Sequence, residues 1–268
     1  MFVEVEPRPV GYCRNRAWLV ESGSWFTEIH LPALTAVITH PRLGRVLFDT
    51  GYGRALVEST TAPARLYRRL LPFTLGVNER AETDVDCIFL SHFHPDHIGG
   101  LREAPAVPVF YSAEGLATLR GLSGWGQAKA AFFPELLPDD LDRRARAVEE
   151  LPEVLLGEEW RPFETARDVA GDGSLLAIAL PGHAEGQYGL LCRTGLDRHV
   201  FLVADAAWTR RNIAGNIGPG FPAGALIGDA AAFRRTLGRL HELHRRRPEV
   251  PLIPSHCHES IQAYPNAQ

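Results

Sequence analysis

The segment Ser91-His92-Phe93-His94-Pro95-Asp96-His97-Ile98-Gly99-Gly100 places three histidines and an aspartate within six positions. It follows residues 85–91 (VDCIFLS), a continuous apolar run typical of a strand buried on both faces. In an extended segment the first two histidines point to the same side, and the aspartate and third histidine fall where the chain turns toward a helix. Unpaired imidazoles and a carboxylate would be costly at the end of a buried strand. The segment therefore predicts a metal site.

Three further polar residues follow predicted strands. His183 comes after the strand 175–180 in Pro181-Gly182-His183, Asp205 ends the strand 199–204, and His256 follows the strand 250–254. Each alone is typical of a loop or a cap. Together with the first segment they make five histidines and two aspartates, the number that two divalent ions need with a bridging water. Imidazole and carboxylate suit zinc, and iron, manganese or cobalt can also use them.

The other elements are simpler to predict. Residues 34–39 (LTAVIT) and 45–49 (RVLFD) indicate a hairpin closed by a glycine-containing turn. Apolar runs at 107–111 and 188–192 indicate further strands, and residues 64–71 a helix. The clearest helix is Asp229–Arg246, with apolar residues at helical spacing, an aspartate placed to cap it and a proline after its end.

The order HxHxDH, PGH, strand-end aspartate and SH resembles the metallo-β-lactamase superfamily. The likeness runs from about residue 34 to 260, and Asp49-Thr50-Gly51 is similar to the superfamily's D-T-G turn. The resemblance implies a four-layer αββα sandwich of the α/β class, with the metals at the edge between two sheets. Position by position, the resemblance implies that two metal ions are bound. One is held by His92, His94 and His183, the other by Asp96, His97 and His256, and Asp205 bridges the two.

Within the superfamily, two stretches resemble the N-acyl homoserine lactonase branch, residues 203–209 (VADAAWT) and residues 38–41 (ITHP) with the strand that follows. In that branch a tyrosine near the bridging aspartate contacts the substrate carbonyl. Trp208 takes this position here, and its indole is a donor only. Trp208 is either a packing residue or a substrate wall, and Trp208 and Phe93 are the candidate substrate-binding residues. At the C-terminal ligand, the superfamily pattern favours His256 over His258.

The implied chemistry is hydrolysis of a lactone, ester or thioester. Two divalent ions hold a hydroxide at neutral pH, and this hydroxide attacks the substrate carbonyl. The resemblance makes Asp96 and Asp205 the catalytic carboxylates, with Asp96 passing a proton to the leaving group. We expect a small-molecule substrate and two divalent ions, most simply zinc.

The composition and charge argue against several other classes of protein. The 268 residues carry 28 basic and 32 acidic side chains, a net charge of -4 that gives no field for nucleic acid or anionic lipid. No apolar stretch reaches the roughly 20 residues of a membrane span, and the N-terminus lacks the pattern of a signal peptide, so we expect a cytoplasmic protein. The four separated cysteines predict reduced thiols. We expect a single domain over 1–268, with 112–170 either a helical cover over the site or an outer helical layer.

Other functions fit parts of the same pattern. A nuclease resembling the tRNA-processing enzymes shares the S-H-x-H-x-D-H text but needs a basic substrate channel. A persulfide dioxygenase uses similar ligands with a single iron, and a metal-binding module binds without turnover. His94 occupies the position where the flavo-diiron oxygen reductases carry a glutamate, which favours hydrolysis over redox chemistry.

Overall fold

Two β-sheets form the centre of the structure, a computed structural model that describes residues 1–75, 82–225 and 228–264. The strands of the first sheet are, in chain order, β1 Glu4–Arg16, β2 Glu28–His40, β3 Gly44–Phe48, β4 Phe73–Thr74, β5 Cys87–Phe89, β6 Val109–Tyr111 and β7 Ala145–Ala147. Those of the second are β8 Glu153–Leu155, β9 Thr165–Asp168, β10 Leu175–Ala179, β11 Tyr188–Arg193, β12 His199–Ala204 and β13 Leu252–Pro254. The strand orders are β4-β1-β2-β3-β5-β6-β7 and β13-β12-β11-β10-β9-β8.

The described residues also form helices. In chain order they are α1 Ala17–Val20, α2 Arg54–Glu58, α3 Ala62–Leu70, α4 Pro95–Ile98, α5 Ala113–Gly121, α6 Gly124–Lys129, α7 Leu141–Arg144, α8 Arg210–Gly215, α9 Ala230–Arg246 and α10 His258–Ala263. Short 3-10 turns occur at Pro134–Leu136, Val148–Glu150, Glu158–Trp160 and Ala223–Ala225. No helix of the described ranges is both long and apolar enough to cross a membrane.

Three clusters of buried apolar side chains separate four layers. The middle cluster joins the facing sides of the sheets, with Leu34 and Phe48 from the first and Leu190 and Leu202 from the second. A second cluster, which we call the first-sheet outer core, packs the far side of that sheet against its helices. The third packs the second sheet against α9. Helix, sheet, sheet and helix are the layers of the αββα sandwich, so the predicted fold is confirmed.

Local signals explain the well-predicted elements. The hairpin of β2 and β3 is antiparallel, with Ala36 opposite Phe48. Asp229 accepts hydrogen bonds from the N–H groups of Ala231 and Ala232, which caps α9 as predicted. Along α9 one face of Phe233, Leu237, Leu240 and Leu243 is buried against the second sheet.

Three strands begin later than predicted. β5, β6 and β13 each start two residues after the beginning of the apolar run. At β6 and β13 the reason is a proline, Pro108 and Pro251, which directly precedes the strand and has no N–H for the ladder. These strands lie in parallel pairings, where both faces are covered.

The segment 112–170 differs from the helical layer that we expected. Helices α5 and α6 lie at its start, but β7 extends the first sheet and β8 and β9 extend the second. Its helical part packs Leu116 and Phe133 into the first-sheet outer core. The segment is therefore helical in part, at α5, α6, α7 and three 3-10 turns, and its strands β7, β8 and β9 complete both sheets. Its role as a cover over the site stays a prediction.

Candidate metal centre

The first ligand segment leaves β5 in extended conformation and then turns into α4. His94 is the residue before the helix, with φ of -73° and ψ of 154°, and Pro95 begins the helix. His92 and His94 thus project from extended chain, and Asp96 and His97 from a helical turn. Immediately after α4, a Cβ on Gly99 would lie 2.6 Å from the backbone nitrogen of Gly53. Glycine is required there because the turn after Asp49-Thr50-Gly51 packs directly against the ligand segment.

The second sheet supplies the other three residues from the ends of its strands. His183 follows β10 in a turn at Gly182, whose φ is +128°. A Cβ at Gly182 would lie 2.1 Å from the backbone nitrogen of Phe233, so the start of α9 rests directly on this turn. Asp205 follows β12 after Ala204, a residue in the left-handed region with φ of +49°. His256 comes two residues after β13.

The structure brings all seven predicted ligands together in two groups. His92, His94, His183 and Asp205 form one group, and Asp96, His97 and His256 form the other. Within each group, one ligand atom from every residue lies within 4.8 Å of the others. These are the two ligand sets that the resemblance implies, and each draws on both sheets.

Asp205 lies between the groups. Its Oδ2 is 3.2 Å from Nε2 of His183 and 3.0 Å from Nε2 of His256. Its Oδ1 is 3.3 Å from Nε2 of His97. One carboxylate therefore faces imidazoles of both groups, which is the geometry that a bridging ligand needs.

Contacts outside the ligand sets orient two of the imidazoles. Nδ1 of His97 lies 2.7 Å from Oδ2 of Asp49, and Nδ1 of His256 lies 2.7 Å from the carbonyl oxygen of Pro32. Both partners accept, so each ring donates from Nδ1 and turns Nε2 toward the centre. Ser91 donates to both oxygens of Asp49, from its N–H and from its hydroxyl, each at 2.7 Å.

The three histidines of the first group are neutral imidazoles. Burial lowers the pKa of His92 well below its usual value, and the neighbouring His97 and His94 lower it further. Burial also lowers the pKa of His94 and takes that of His183 to about 3. Neutral imidazole is the form that binds a metal ion, so these side chains are ready for coordination at neutral pH.

The two histidines of the second group are positively charged and face the Asp205 carboxylate. Burial disfavours the cation of His256, but the Asp205 carboxylate outweighs burial and raises the pKa of His256 to about 9. The same carboxylate and that of Asp49 raise the pKa of His97 well above its usual value, against burial. Burial opposes the anion of Asp205, but His256 and His97 lower its pKa well below the normal range. The protonated His97 and His256 thus balance the negative charge of Asp205. A divalent cation bound between these side chains would supply that positive charge in place of the imidazole protons.

The donor atoms fit divalent metal ions. Nε2 of His92 is buried and has no hydrogen-bond partner among the described residues, and Nε2 of His97 and Oδ1 of Asp205, 3.3 Å apart, are buried without a hydrogen bond of good geometry. Buried polar atoms without partners are rare and costly in folded proteins. Here they face one centre and consist of imidazole nitrogen and carboxylate oxygen, the donors of zinc, iron, manganese and cobalt sites. We therefore expect the seven residues to hold two divalent ions.

The two candidate substrate-binding residues have different surroundings. Phe93 is 1% exposed and packs edge-on against Tyr111 and Phe132 in the first-sheet outer core. The expectation that it binds substrate is wrong, because in an extended segment it points away from His92 and His94. Trp208 is half-buried with its ring edge-on to His183, 6.0 Å between ring centroids.

Two contacts near the centre could not be predicted from the sequence. The Pro32 carbonyl is 224 residues from its partner His256 and has no sequence signal. Asp49 carried a signal, the D-T-G turn, but its contact with His97 did not follow from it.

His258, the alternative to His256, is exposed as the first residue of α10. All four cysteines are free and buried, in agreement with the predicted reduced thiols.

The chain belongs to the metallo-beta-lactamase superfamily, whose family model matches residues 32–256. Among individual proteins, it is 29% identical over 239 residues to a probable metallo-hydrolase of Mycobacterium tuberculosis, covering 80% of this chain and 71% of the relative. It is 24% identical over 243 residues to the N-acyl homoserine lactonase AttM of Agrobacterium fabrum, covering 77% of this chain and 81% of that protein.

Solved structures support the same fold. The chain is similar to an N-acyl homoserine lactone hydrolase with the product N-hexanoyl-L-homoserine bound at its catalytic metal centre, with a TM-score of 0.70 and 18% identity. That likeness covers 98% of this chain and 97% of the other. The dizinc quorum-quenching lactonase AidC is similar with a TM-score of 0.64 and 15% identity over 96% of this chain and 88% of its own.

Proposed function

We propose that this protein is a dinuclear metal-dependent hydrolase of a lactone, carboxylic ester or thioester. The observation that carries the proposal is the position of Asp205, within 3.3 Å of His183 in one ligand group and of His97 and His256 in the other. Asp205 would be shared between two ions bound by these groups. When bound, two such ions supply a hydroxide nucleophile at neutral pH and polarise the substrate carbonyl. The relatives named as metallo-hydrolases and lactonases support this reaction class.

We assign different roles in the reaction to the individual side chains. The three neutral imidazoles of the first group provide lone pairs without first losing a proton. Asp96 is the more open carboxylate, because its side chain is 10% exposed and that of Asp205 is 4% exposed. We therefore assign to Asp96 the transfer of a proton to the leaving group, and to Asp205 the fixed bridging role.

Trp208 belongs to the same proposal as a wall of the substrate pocket beside His183. Its indole N–H is buried and has no hydrogen-bond partner among the residues that the structure describes. Such a donor is satisfied when it meets a substrate oxygen. Trp208→Phe removes the donor and keeps an aromatic ring, and we expect it to raise KM several-fold.

The test combines elemental analysis with hydrolysis assays. The purified protein is assayed on N-hexanoyl homoserine lactone, an aryl ester, an acyl thioester and a phosphodiester, with and without chelator. We expect about two divalent ions per chain and chelator-sensitive turnover of at least one carbonyl substrate. Asp205→Asn should abolish turnover, and the exposed His258→Ala serves as its control. Absence of bound metal after remetallation, turnover of the phosphodiester alone, or one iron per chain without hydrolysis would overturn the proposal.

A further inference from the structure

A cavity of about 320 Å³ opens at the β13 edge of the second sheet, where α8, the end of α9 and α10 meet. β13 is the outermost strand at this side of its sheet, so no further strand of the described residues covers the edge. The lining contains none of the seven candidate metal ligands. The volume lies in the range of small-molecule binding sites, and the proposed function makes no use of this cavity.

Buried apolar side chains form a continuous part of the lining. They come from α8 and from the segment that enters and forms β13, and each is at most 8% exposed, namely Ile213, Val250, Leu252 and Ile253. An apolar chain that covers these side chains leaves water, which is favourable in proportion to the area buried. The lining therefore favours a ligand with an apolar body over a sugar or a nucleotide.

Two nitrogen donors line the same cavity, Arg210 at the start of α8 and His244 near the end of α9. Neither the guanidinium of Arg210 nor the ring of His244 makes a hydrogen bond to another residue in the described part of the chain. Nε of Arg210 lies 3.4 Å from Oε2 of Glu259, but both side chains are more than half exposed, so water weakens this ion pair. No acidic side chain of the described residues lines the cavity itself. The polar part of the lining therefore favours an anion.

The cavity lies behind the segment that carries the ligand His256. Ile253 of the lining precedes His256 by three residues, and Cys257 follows it directly. Sγ of Cys257 accepts hydrogen bonds from the N–H of Arg210 at 3.3 Å and from the hydroxyl of Ser260 at 3.1 Å. Arg210 and Ser260 both line the cavity. The cavity and the metal centre are thus separate sites that are joined through the residue next to a metal ligand.

We propose that this cavity is a second ligand site, which binds a carboxylate with an apolar chain. The chain covers the buried apolar side chains of the lining, and the carboxylate accepts hydrogen bonds from Arg210 and His244. Arginine suits this role because its planar guanidinium offers paired N–H donors to a carboxylate. Hydrolysis of an acyl ester or thioester releases an acid of this class, so the product of the reaction would bind here. That link to the product rests on the proposed function, whereas the site itself does not.

Calorimetric titration of the purified protein with octanoate tests the site. Acetate carries the same charge without the chain, and octylammonium carries the same chain with the opposite charge. We expect saturable binding of octanoate and no saturable binding of the other two. Arg210→Gln should weaken octanoate binding roughly three- to tenfold, as for the loss of a charge-assisted hydrogen bond. Ala214→Phe places a ring in the cavity from an exposed position of its lining and should abolish binding.

Arg211→Gln is the matched control. It removes the same charge one residue further along α8, from a side chain that is 73% exposed and does not line the cavity, so octanoate binding should equal that of wild type. Metal content and Tm should be unchanged in all three variants. Octanoate that does not bind, that binds equally to wild type, Arg210→Gln and Ala214→Phe, or that is weakened as much by Arg211→Gln would overturn the inference. Octylammonium that binds as tightly as octanoate would do the same. The proposed function is decided separately, by turnover of the wild-type protein.

Discussion

Oδ2 of Asp49 lies 2.7 Å from Nδ1 of His97, and both side chains are fully enclosed. Asp49 stands at the end of β3 with φ of +54°, a conformation that is rare for a residue with a side chain. This strained turn directs the carboxylate at the imidazole of His97, a candidate metal ligand. The turn that gives the superfamily part of its signature thus fixes the orientation of His97.

Asp49→Asn should weaken metal binding without removing a ligand. An amide holds the His97 ring less firmly and does not strengthen its basicity, so we expect roughly 10- to 100-fold lower affinity for the ion of the second group. Chelator competition on the purified variant measures this. Asp139→Asn, at a side chain 95% exposed, is the control. Unchanged affinity in a folded Asp49→Asn protein would show that the contact has no role in metal binding.

Single-ligand variants should separate the two ions. His183→Ala removes a donor from the first group, and His256→Ala removes one from the second. We expect the metal content of each to fall from about two ions per chain toward one, because the other group keeps its donors. Elemental analysis after gel filtration measures the ratio, with His258→Ala unchanged. If either variant kept two ions, the ligand assignment at that position would be wrong.

Gly182→Ala should destabilise the protein and displace His183. The added Cβ would meet the backbone of α9 at 2.1 Å, and the φ of +128° is unfavourable for alanine. We expect a loss of about 2 to 4 kcal/mol in the free energy of unfolding, together with loss of metal from the first group. Gly173→Ala separates the two causes, since Gly173 also has positive φ but nothing within 4 Å of an added Cβ. It should lose about 1 kcal/mol and no metal.

Asp172 should contribute to stability in a defined pH range. Burial alone would raise its pKa, but hydrogen bonds from Ser174 and the neighbouring His40 lower the pKa to about 2. A carboxyl group with a lowered pKa stabilises the folded state fully above its unfolded pKa of about 3.9, and this contribution is lost progressively as the pH falls through the folded pKa. Asp172→Asn should therefore unfold about 1 to 2 kcal/mol more easily than wild type at pH 6 and lose most of that difference by pH 2. Urea unfolding at both pH values measures the difference, and an equal difference at both would contradict it.

The predictable part of the centre is the part that is local in sequence. His92 to His97 lie on one short segment, so their grouping needs no knowledge of the fold. His183, Asp205 and His256 were found because each follows an apolar strand, and strand ends meet at one edge of a sandwich. The contact of Pro32 with His256 depends on how the chain folds over long distances in sequence, which no periodicity reports.

Residues 112–170 show that short strands, too, are hard to predict from sequence. Strands β7, β8 and β9 are three or four residues long, too short to show alternation. Their pairing partners, not their own composition, make them strands. The long hairpin of β2 and β3 and the helix α9 were predicted because each carries its pattern over enough residues.

Each ligand group needs donors from both sheets, and this has a consequence for synthesis. His256 follows His97 by 159 residues, so at about 5 to 20 residues per second a ribosome adds it roughly 8 to 30 seconds later. A nascent chain that has not reached His183 completes neither group. We therefore expect both metal ions to bind late in synthesis. A translation product truncated before His183 would contain the His92–His97 segment without either complete ligand set.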